Sequence, residues 1–194
     1  MMRKQGFTLI ELLITITLIG SILIVITSIY LVGFRTYTEQ LATSTVQSDA
    51  QTILDAVILD AKNGLLIEET FTNPGNGTVY TTGPNSIIIQ VPAIDAGKNI
   101  QYNGTDELFD RIIYYYKDES IHKIVFADSR SVRFPKNGKD TTLDTKILAL
   151  SFEYDPPDPG AAHLVKVIMK SDIKVGNRNK EITLTGEARL RNHI

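Results

Sequence analysis

The sequence lacks cysteine altogether. This absence excludes structural disulfides, thiolate metal sites and cysteine nucleophiles in one step. The fold must therefore be stabilised by an apolar core and by its secondary structure. The absence does not assign a cellular compartment, because exported proteins also exist without disulfides.

An excess of positive charge is missing as well. The chain of 194 residues has 20 Lys and Arg against 22 Asp and Glu, which gives a formal net charge of −2 at pH 7. Phosphate groups are bound by clustered Lys and Arg, and we identify no such cluster in the sequence. Composition therefore does not indicate nucleic-acid binding. Folding could still bring distant basic residues together into a patch, so this alternative stays open.

Motifs of catalysis and of metal binding are also missing. No nucleophile elbow, phosphate-binding loop or zinc-protease motif occurs in the chain. His122, His163 and His193 are far apart and have no metal-ligand spacing, so we expect them to be exposed or at strand edges. We expect no enzyme activity, no metal and no cofactor.

Two acidic groups are the remaining candidates for calcium binding. One group comprises Asp106, Glu107 and Asp110, and the other comprises Asp155 and Asp158. Neither group has the regular ligand spacing of an EF-hand. Solvated loop carboxylates are the simpler interpretation.

What the sequence does contain is a long apolar run near its start. Between Lys4 and Arg35 the only charged residue is Glu11. A helix over residues 7–34 would extend about 42 Å at roughly 1.5 Å per residue, which exceeds the roughly 30 Å hydrocarbon core of a bilayer. Basic residues directly before such a run, here Arg3 and Lys4, predict a cytoplasmic N-terminus, with the rest of the chain on the other side of the membrane.

Two ordinary explanations fit this run less well. A secretory signal peptide has a shorter apolar region followed by a small-x-small cleavage site, and no such site follows here. A plain signal anchor has no use for Glu11, because a carboxylate within a membrane helix is costly. Glu11 therefore either lies near enough to the headgroups to be hydrated or has a specific partner.

The segment GFTLIE, residues 6–11, resembles the processing site of type IV prepilins and type II secretion pseudopilins. The resemblance implies that a prepilin peptidase cuts between Gly6 and Phe7 on the cytoplasmic side. Phe7 would then become the N-methylated first residue of the mature chain. Glu11 would become its fifth residue, the position at which this family has a glutamate.

The resemblance also implies a role for Glu11. Cleavage exposes a positively charged amine at Phe7, and an unpaired charge is costly in the low-dielectric environment of a helix bundle. Glu11 of a neighbouring subunit can pair with that amine and set the stagger between helices. A contact within one subunit is an alternative, since residues four apart lie on one helix face.

One departure from the family concerns the apolar helix. Many major pilins have a proline within this stretch, whereas here it contains none, and Gly20 and Gly33 are its only weak points. This favours a pseudopilin or a minor pilin. The predicted body and the ending ARLRN, residues 188–192, resemble the larger minor subunits, which are called J in type II secretion and W in type IV pili.

Beyond the apolar run, the sequence predicts an α+β fold in which the long N-terminal helix packs on an antiparallel β-sheet. An amphipathic stem helix at residues 35–64 is expected to stop at Asn63-Gly64. Its apolar stripe consists of Leu54, Val57, Ile58, Ala61 and Leu65, with Val46, Ala50 and Ile53 on neighbouring turns. The predicted strands are residues 78–82, 87–91, 111–117, 121–127, 146–154 and 164–170, with a last strand that alternates up to residue 191.

Three details of this sheet are specific expectations. Residues 118–120 are expected to turn a hairpin between two strands. Strict alternation in the strand at 146–154 puts four large side chains on one face, namely Leu148, Leu150, Phe152 and Tyr154. The three consecutive tyrosines at 114–116 are expected to pack in the sheet rather than to form a ligand platform.

These observations predict four segments: a cleaved leader (1–6), a transmembrane and filament-core helix (7–34), a stem helix (35–64) and a sheet domain (65–194). The implied function is that of a minor pilin or pseudopilin that assembles into, primes or caps a filament. The implied partners are other pilins or pseudopilins, the prepilin peptidase, the inner-membrane assembly platform and the bilayer. The implied location is the cytoplasmic membrane, followed by an extracytoplasmic filament. The alternative is a filament-tip module that binds DNA, a secreted substrate or a surface.

Overall fold

A computed structural model describes residues 8–103, 106–144, 147–175 and 178–191. The predicted cleavage and methylation residues, Gly6 and Phe7, lie outside the described residues, as does His193. The chain divides into two compact units, Met1–Ser44 and Thr45–Ile194. We refer to the second unit as the body.

A single helix, α1, spans Leu9–Lys62 without a break. Within the body it buries one stripe of side chains, which comprises Ala50, Ile53, Leu54, Val57 and Ala61. These positions follow the three- and four-residue spacing predicted for the apolar stripe. The helix ends directly before Asn63-Gly64, where the Gly64 N–H donates to the carbonyl of Ala61 at 2.9 Å. A Cβ at Gly64 would lie 2.7 Å from a side-chain carbon of Ile89, so this end of the helix packs tightly on the sheet.

Strands make up most of the remaining described chain. They are β1 (Leu66–Ile67), β2 (Thr70–Thr72), β3 (Val79–Thr81), β4 (Ser86–Pro92), β5 (Tyr102–Asn103), β6 (Asp106–Glu107), β7 (Phe109–Lys117), β8 (Ser120–Phe126), β9 (Asp140–Asp144), β10 (Ile147–Asp155), β11 (Leu164–Val175) and β12 (Arg178–Arg189). Short 3-10 turns lie at Phe134–Lys136 and Pro159–Ala161.

The strands form antiparallel sheets. A five-stranded sheet has the order β1-β4-β7-β8-β9, and a three-stranded sheet has the order β10-β11-β12. Two small pairs, β2-β3 and β5-β6, complete the set. The predicted hairpin is confirmed: β7 and β8 are joined through Asp118 and Glu119, whose φ angles of 51° and 57° are those of a tight turn with both central residues left-handed.

The core lies where α1 meets the inner faces of both large sheets. The buried stripe of α1 packs in one cluster with Ile89 and Ile112 of the first sheet and with Leu150 and Val167 of the second. Gly186 on β12 permits the closest approach, because a Cβ there would lie 2.1 Å from Cδ1 of Ile58. The predicted α+β architecture is confirmed, with the strands of the body divided between separate sheets.

The outer face of the five-stranded sheet is also largely apolar. Ile88, Ile113 and Ile124 lie side by side across β4, β7 and β8 and are buried. Beside them, Phe71 and Tyr80 of the β2-β3 hairpin pack on Phe126, with ring centroids 4.9 and 5.7 Å apart. The sheet is therefore buried on both faces, which explains the run of apolar residues in its central strands.

The strand at 146–154 departs from the predicted alternation. A β-bulge between Ile147 and Ala149 shifts its pairing with β11. Because a bulge inserts an extra residue, Ile147 turns into the core and Leu148 is left 45% exposed. The prediction for Leu148 was wrong, whereas Leu150, Phe152 and Tyr154 do share the inner face. The Tyr116 hydroxyl donates to the carbonyls of Ile147 and Leu148 at the bulge.

Candidate assembly site at the start of the helix

Thr8 and Glu11 form a reciprocal capping arrangement at the first turn of α1. The Thr8 N–H donates to Glu11 Oε2 at 2.9 Å, and the Thr8 hydroxyl donates to the same oxygen at 3.0 Å. In return, the Glu11 N–H donates to the Thr8 hydroxyl oxygen at 3.3 Å. This is a capping box, in which two backbone donors that lack helical partners are satisfied by each other's side chains.

The capping box sets where the helix begins. The apolar run predicts a helix from Phe7, whereas α1 starts at Leu9 and Thr8 caps its first turn. The pattern Thr-x-x-Glu before an apolar run is itself a sequence signature of a helix start. It could have been recognised in the sequence, and it gives Glu11 a role within its own chain besides the predicted pairing with a Phe7 amine.

The capping box leaves part of the Glu11 carboxylate unused. Both hydrogen bonds from Thr8 go to Oε2, and Oε1 accepts none from the described residues. A carboxylate has about four lone-pair sites, so the same group can still accept from a cation. The geometry therefore permits Glu11 to cap its own helix and to pair with a charge on another chain.

The surface of α1 after this site is apolar and exposed. Leu9, Ile10 and Ile24 are 80%, 70% and 69% exposed, and none of the apolar stretch is buried within the described chain. By length and composition, α1 is able to cross a membrane. An exposed apolar surface of this extent requires a lipid or protein environment.

The hydroxyl groups in this stretch do not interrupt its apolar character. Each serine and threonine hydroxyl in residues 15–36 donates to a backbone carbonyl one turn earlier, as Thr15 does to Glu11 at 2.7 Å and Thr17 does to Leu13 at 2.8 Å. The same bond is made by Ser21, Thr27, Ser28 and Thr36. Such bonds satisfy polar side chains inside the helix, which a segment in hydrocarbon requires.

Residues 1–27 match the family model of the prokaryotic N-terminal methylation motif. This is the N-terminal signal of type IV pilins and pseudopilins. The pilin-type signal covers Gly6, Phe7 and Glu11, and it ends within the apolar part of α1. No curated protein and no solved structure is significantly similar to the chain. The resemblance predicted from the residues is confirmed for the signal, and the signal does not distinguish a J-like or W-like subunit.

The predicted histidine positions need one correction. His122 was expected to be exposed or at a strand edge, but it lies on β8, an inner strand of the five-stranded sheet. Its side chain is 16% exposed, stacks on Tyr115 and places Nδ1 3.1 Å from Asp140 Oδ1. The Tyr115 hydroxyl donates to the other oxygen of Asp140 at 2.6 Å. Together these contacts fasten β9 to the sheet. His163 is exposed, as predicted.

Two of the candidate calcium ligands, Asp110 and Asp158, are engaged in other contacts. Asp110 is fully buried and accepts from Arg133 at 2.8 Å and from the Asp128 N–H at 3.0 Å, so its carboxylate is not available to a cation. Asp158 accepts from the Gly160 N–H and caps a 3-10 turn. The interpretation of Asp110 as a solvated loop carboxylate was wrong, because its charge is compensated inside the protein.

Proposed function

We propose that the chain is a minor pilin or pseudopilin, a structural subunit made as a precursor. In this proposal, prepilin peptidase cuts between Gly6 and Phe7, Phe7 is N-methylated, and the subunit enters a filament through α1. The observation that carries the proposal is the pilin-type signal on residues 1–27, which leads directly into an uninterrupted apolar helix with a capped start. The absence of a proline in that helix supports a minor subunit over a major one.

Glu11 is the residue that we assign to assembly. In the membrane, the capping box reduces the cost of an uncompensated carboxylate, because Thr8 donates two hydrogen bonds to it. During assembly, the unused Oε1 can accept from the Phe7 amine of a neighbouring subunit. This charge pair would stabilise only the helix stagger that brings the two groups together.

The proposed role is structural and does not involve catalysis. The family of the signal is structural, and the functional surface of this chain is then an apolar helix that contacts other pilins, the assembly platform and lipid. We place the N-terminus in the cytoplasm and the body on the far side of the cytoplasmic membrane, as Arg3 and Lys4 favour.

The test of the proposal is mass spectrometry of the N-terminus of the protein purified from its native membrane. The expected mature chain begins at N-methylated Phe7, and a Gly6→Ala variant remains uncut. An intact Met1 or Met2 terminus in a strain with active prepilin peptidase would sink the proposal. Glu11 would then serve only as the capping residue of a plain membrane anchor.

The alternative, a binding module at a filament tip, requires an exposed aromatic or basic patch on the body. Among the described residues, the connection between β8 and β9 presents a surface of this kind. Its two arginines are paired with aspartates, which fits a contact with another subunit better than a nucleic-acid site.

A further inference from the structure

The connection between β8 and β9, residues 127–139, is longer than antiparallel neighbours require. Two to five residues are enough to turn a hairpin. The ends of this loop are held together, because the Gly138 N–H donates to the carbonyl of Val125 at 2.8 Å and the Asn137 side chain accepts from the Ala127 N–H at 3.0 Å. We call residues 127–139 the closed loop.

A buried carboxylate fixes the shape of the closed loop. Asp110, at the start of β7, contacts the Asp128 N–H, the Ser131 hydroxyl and the Arg133 guanidinium. The Val132 N–H also donates to the carbonyl of Ile94 at 2.7 Å. The loop is therefore ordered by internal contacts before any partner binds, and a preordered loop loses little conformational entropy on binding.

The closed loop directs apolar and cationic side chains outward. Val132 is 52% exposed and Phe134 is 44% exposed, although neither is needed for the contacts that shape the loop. Lys136 and Lys139 are exposed beside them and form no ion pair within the described residues. Aromatic side chains, including Phe, are enriched in protein interfaces, and the rims of these interfaces are polar.

The opposite end of the five-stranded sheet has the complementary chemistry. β7 leads from Asp110, beside the closed loop, to the tight turn at Asp118 and Glu119. Both turn residues are exposed, and Asp118 has only a loose contact with Lys117 at 4.0 Å. Leu148, left exposed by the β-bulge, lies at the same end, since the Tyr116 hydroxyl donates to its carbonyl at 2.7 Å. We call Asp118, Glu119 and Leu148 the acidic end.

The charges on the closed loop favour a protein partner over a polyanion. Arg133 is neutralised by Asp110 and Arg130 is paired with Asp128 at 3.1 Å, so the unpaired cations are the two lysines. Nucleic-acid affinity rises with the number of phosphates neutralised, and two lysines supply little of it. An exposed Phe134 with two lysines instead complements an exposed leucine with two carboxylates.

From this complementarity we infer that the closed loop of one copy docks on the acidic end of a second copy. The two surfaces differ and lie at opposite ends of one sheet, so the contact is head-to-tail and joins two adjacent copies of the chain. The inference rests on the proposed function, which supplies the filament, and adds the surface through which adjacent bodies meet.

Cross-linking between engineered cysteines tests the contact, and the natural chain provides a background free of cysteine. Full-length Phe134→Cys and Leu148→Cys chains are produced together in the native membrane under filament-forming conditions and oxidised. We expect a disulfide-linked dimer that neither variant forms alone. The matched control pairs Phe134→Cys with Val79→Cys, which is 60% exposed at another site, and should give about a tenfold lower yield.

Charge reversal gives a second measurement that does not depend on disulfide geometry. A chain with Lys136→Glu and Lys139→Glu should cross-link about tenfold less, and Asp118→Lys with Glu119→Lys in the partner chain should restore the yield. Equal yields for the test and control pairs, or no restoration by the swapped charges, would overturn the inference. Binding of labelled oligothymidylate to the full chain in detergent, lost with the two lysines, would also overturn it in favour of a nucleic-acid site.

The same samples separate this inference from the proposed function. Mass spectrometry of the N-terminus reports processing at Phe7, and the cross-link reports the contact between bodies. A processed chain without the cross-link refutes the contact between bodies but does not contradict the proposal that the chain is a filament subunit. An unprocessed chain refutes the proposed function whether or not the cross-link forms.

Discussion

The hydroxyl of Tyr114, on β7, donates a 2.6 Å hydrogen bond to the carboxylate of Asp60, near the end of α1. Lys123 on β8 donates to the same oxygen at 2.6 Å, and its ammonium lies 5.1 Å from the centre of the Tyr114 ring. Tyr114 is fully buried, so this polar group lies within the interface between the helix and the five-stranded sheet. These hydrogen bonds fix the position of α1 along the sheet. Apolar packing alone is less directional and would allow the helix to shift more easily.

Replacing Tyr114 with Phe should destabilise the body by about 1–2 kcal/mol, because the ring stays and one hydrogen bond to a charged group is lost. Urea unfolding of the full chain in detergent, followed by the near-ultraviolet circular dichroism of its tyrosines, measures the change. Tyr37→Phe is the control, since Tyr37 is 59% exposed and should give no change. A Tyr114→Phe variant as stable as the parent would show that the bond to Asp60 contributes nothing net.

Alkaline pH should destabilise the body. Burial raises the pKa of Tyr114 and of Tyr154, and the Asp60 carboxylate raises that of Tyr114 further. Folded pKa values above the unfolded value of about 10 mean that the stabilisation is complete below about pH 10 and is lost as the pH rises beyond it. The free energy of unfolding should therefore begin to fall near about pH 10 and keep falling as the pH rises further. A Tyr154→Phe variant should lose less stability over this range, and an identical slope would contradict the assignment.

The sequence predicted the elements of this protein better than their arrangement. The spacing of apolar residues from Ala50 to Ala61 identified the stem helix, because a helix that packs on one side repeats its buried positions every three to four residues. The alternation around Gly186 identified a half-buried strand for the same kind of reason. Local periodicity carries no information about which strands pair with each other. The division of the strands between the two large sheets could therefore not be predicted from it.

Two misplaced residues show where local patterns fail. Leu148 was assigned to the inner face because alternation assumes a regular strand, and the β-bulge before Ala149 has no distinct signal in the sequence. Asp110 looked like a solvated loop carboxylate because its partner, Arg133, is distant in sequence. The lysines of the closed loop were not recognised as a surface feature, because the net charge of the chain sums them with acidic residues elsewhere.

Adding a side chain at Gly186 should separate α1 from the three-stranded sheet. A Cβ at this position would lie 2.1 Å from Cδ1 of Ile58 and 3.5 Å from Cγ of Leu54, so Gly186→Val should cost about 1–3 kcal/mol through overpacking. Urea unfolding of the full chain measures the loss, and Ile58→Ala in the same chain should recover part of it. Gly83→Ala is the control, because the nearest atom to its Cβ is 4.0 Å away. Additive losses in the double variant would argue against a direct clash.

Removing the carboxylate of Asp110 should make the closed loop less ordered. Asp110→Ala leaves the partly buried Arg133 without its partner, and breaking such an ion pair costs about 3 kcal/mol. Hydrogen exchange of the full chain should show faster exchange of the Val132 amide, whose bond to Ile94 depends on the loop conformation. A double variant, Asp110→Ala with Arg133→Met, should regain stability because the uncompensated charge is gone. Unchanged exchange in Asp110→Ala would show that the carboxylate does not order the loop.

Glu11→Gln separates the two roles of this side chain, because an amide oxygen can still accept from the Thr8 N–H while the negative charge is removed. We expect the variant to be cut and methylated normally, since the cap and the cleavage residues remain, but to enter filaments at least about tenfold less than the parent. Quantitative mass spectrometry of membrane and sheared-filament fractions measures both steps. Thr8→Val is the complementary change: it removes the cap, which costs about 1 kcal/mol of helix stability, and keeps the charge that pairs with a neighbour. Filament entry that fails with Thr8→Val and survives Glu11→Gln would show that capping, rather than charge pairing, is what assembly requires of Glu11.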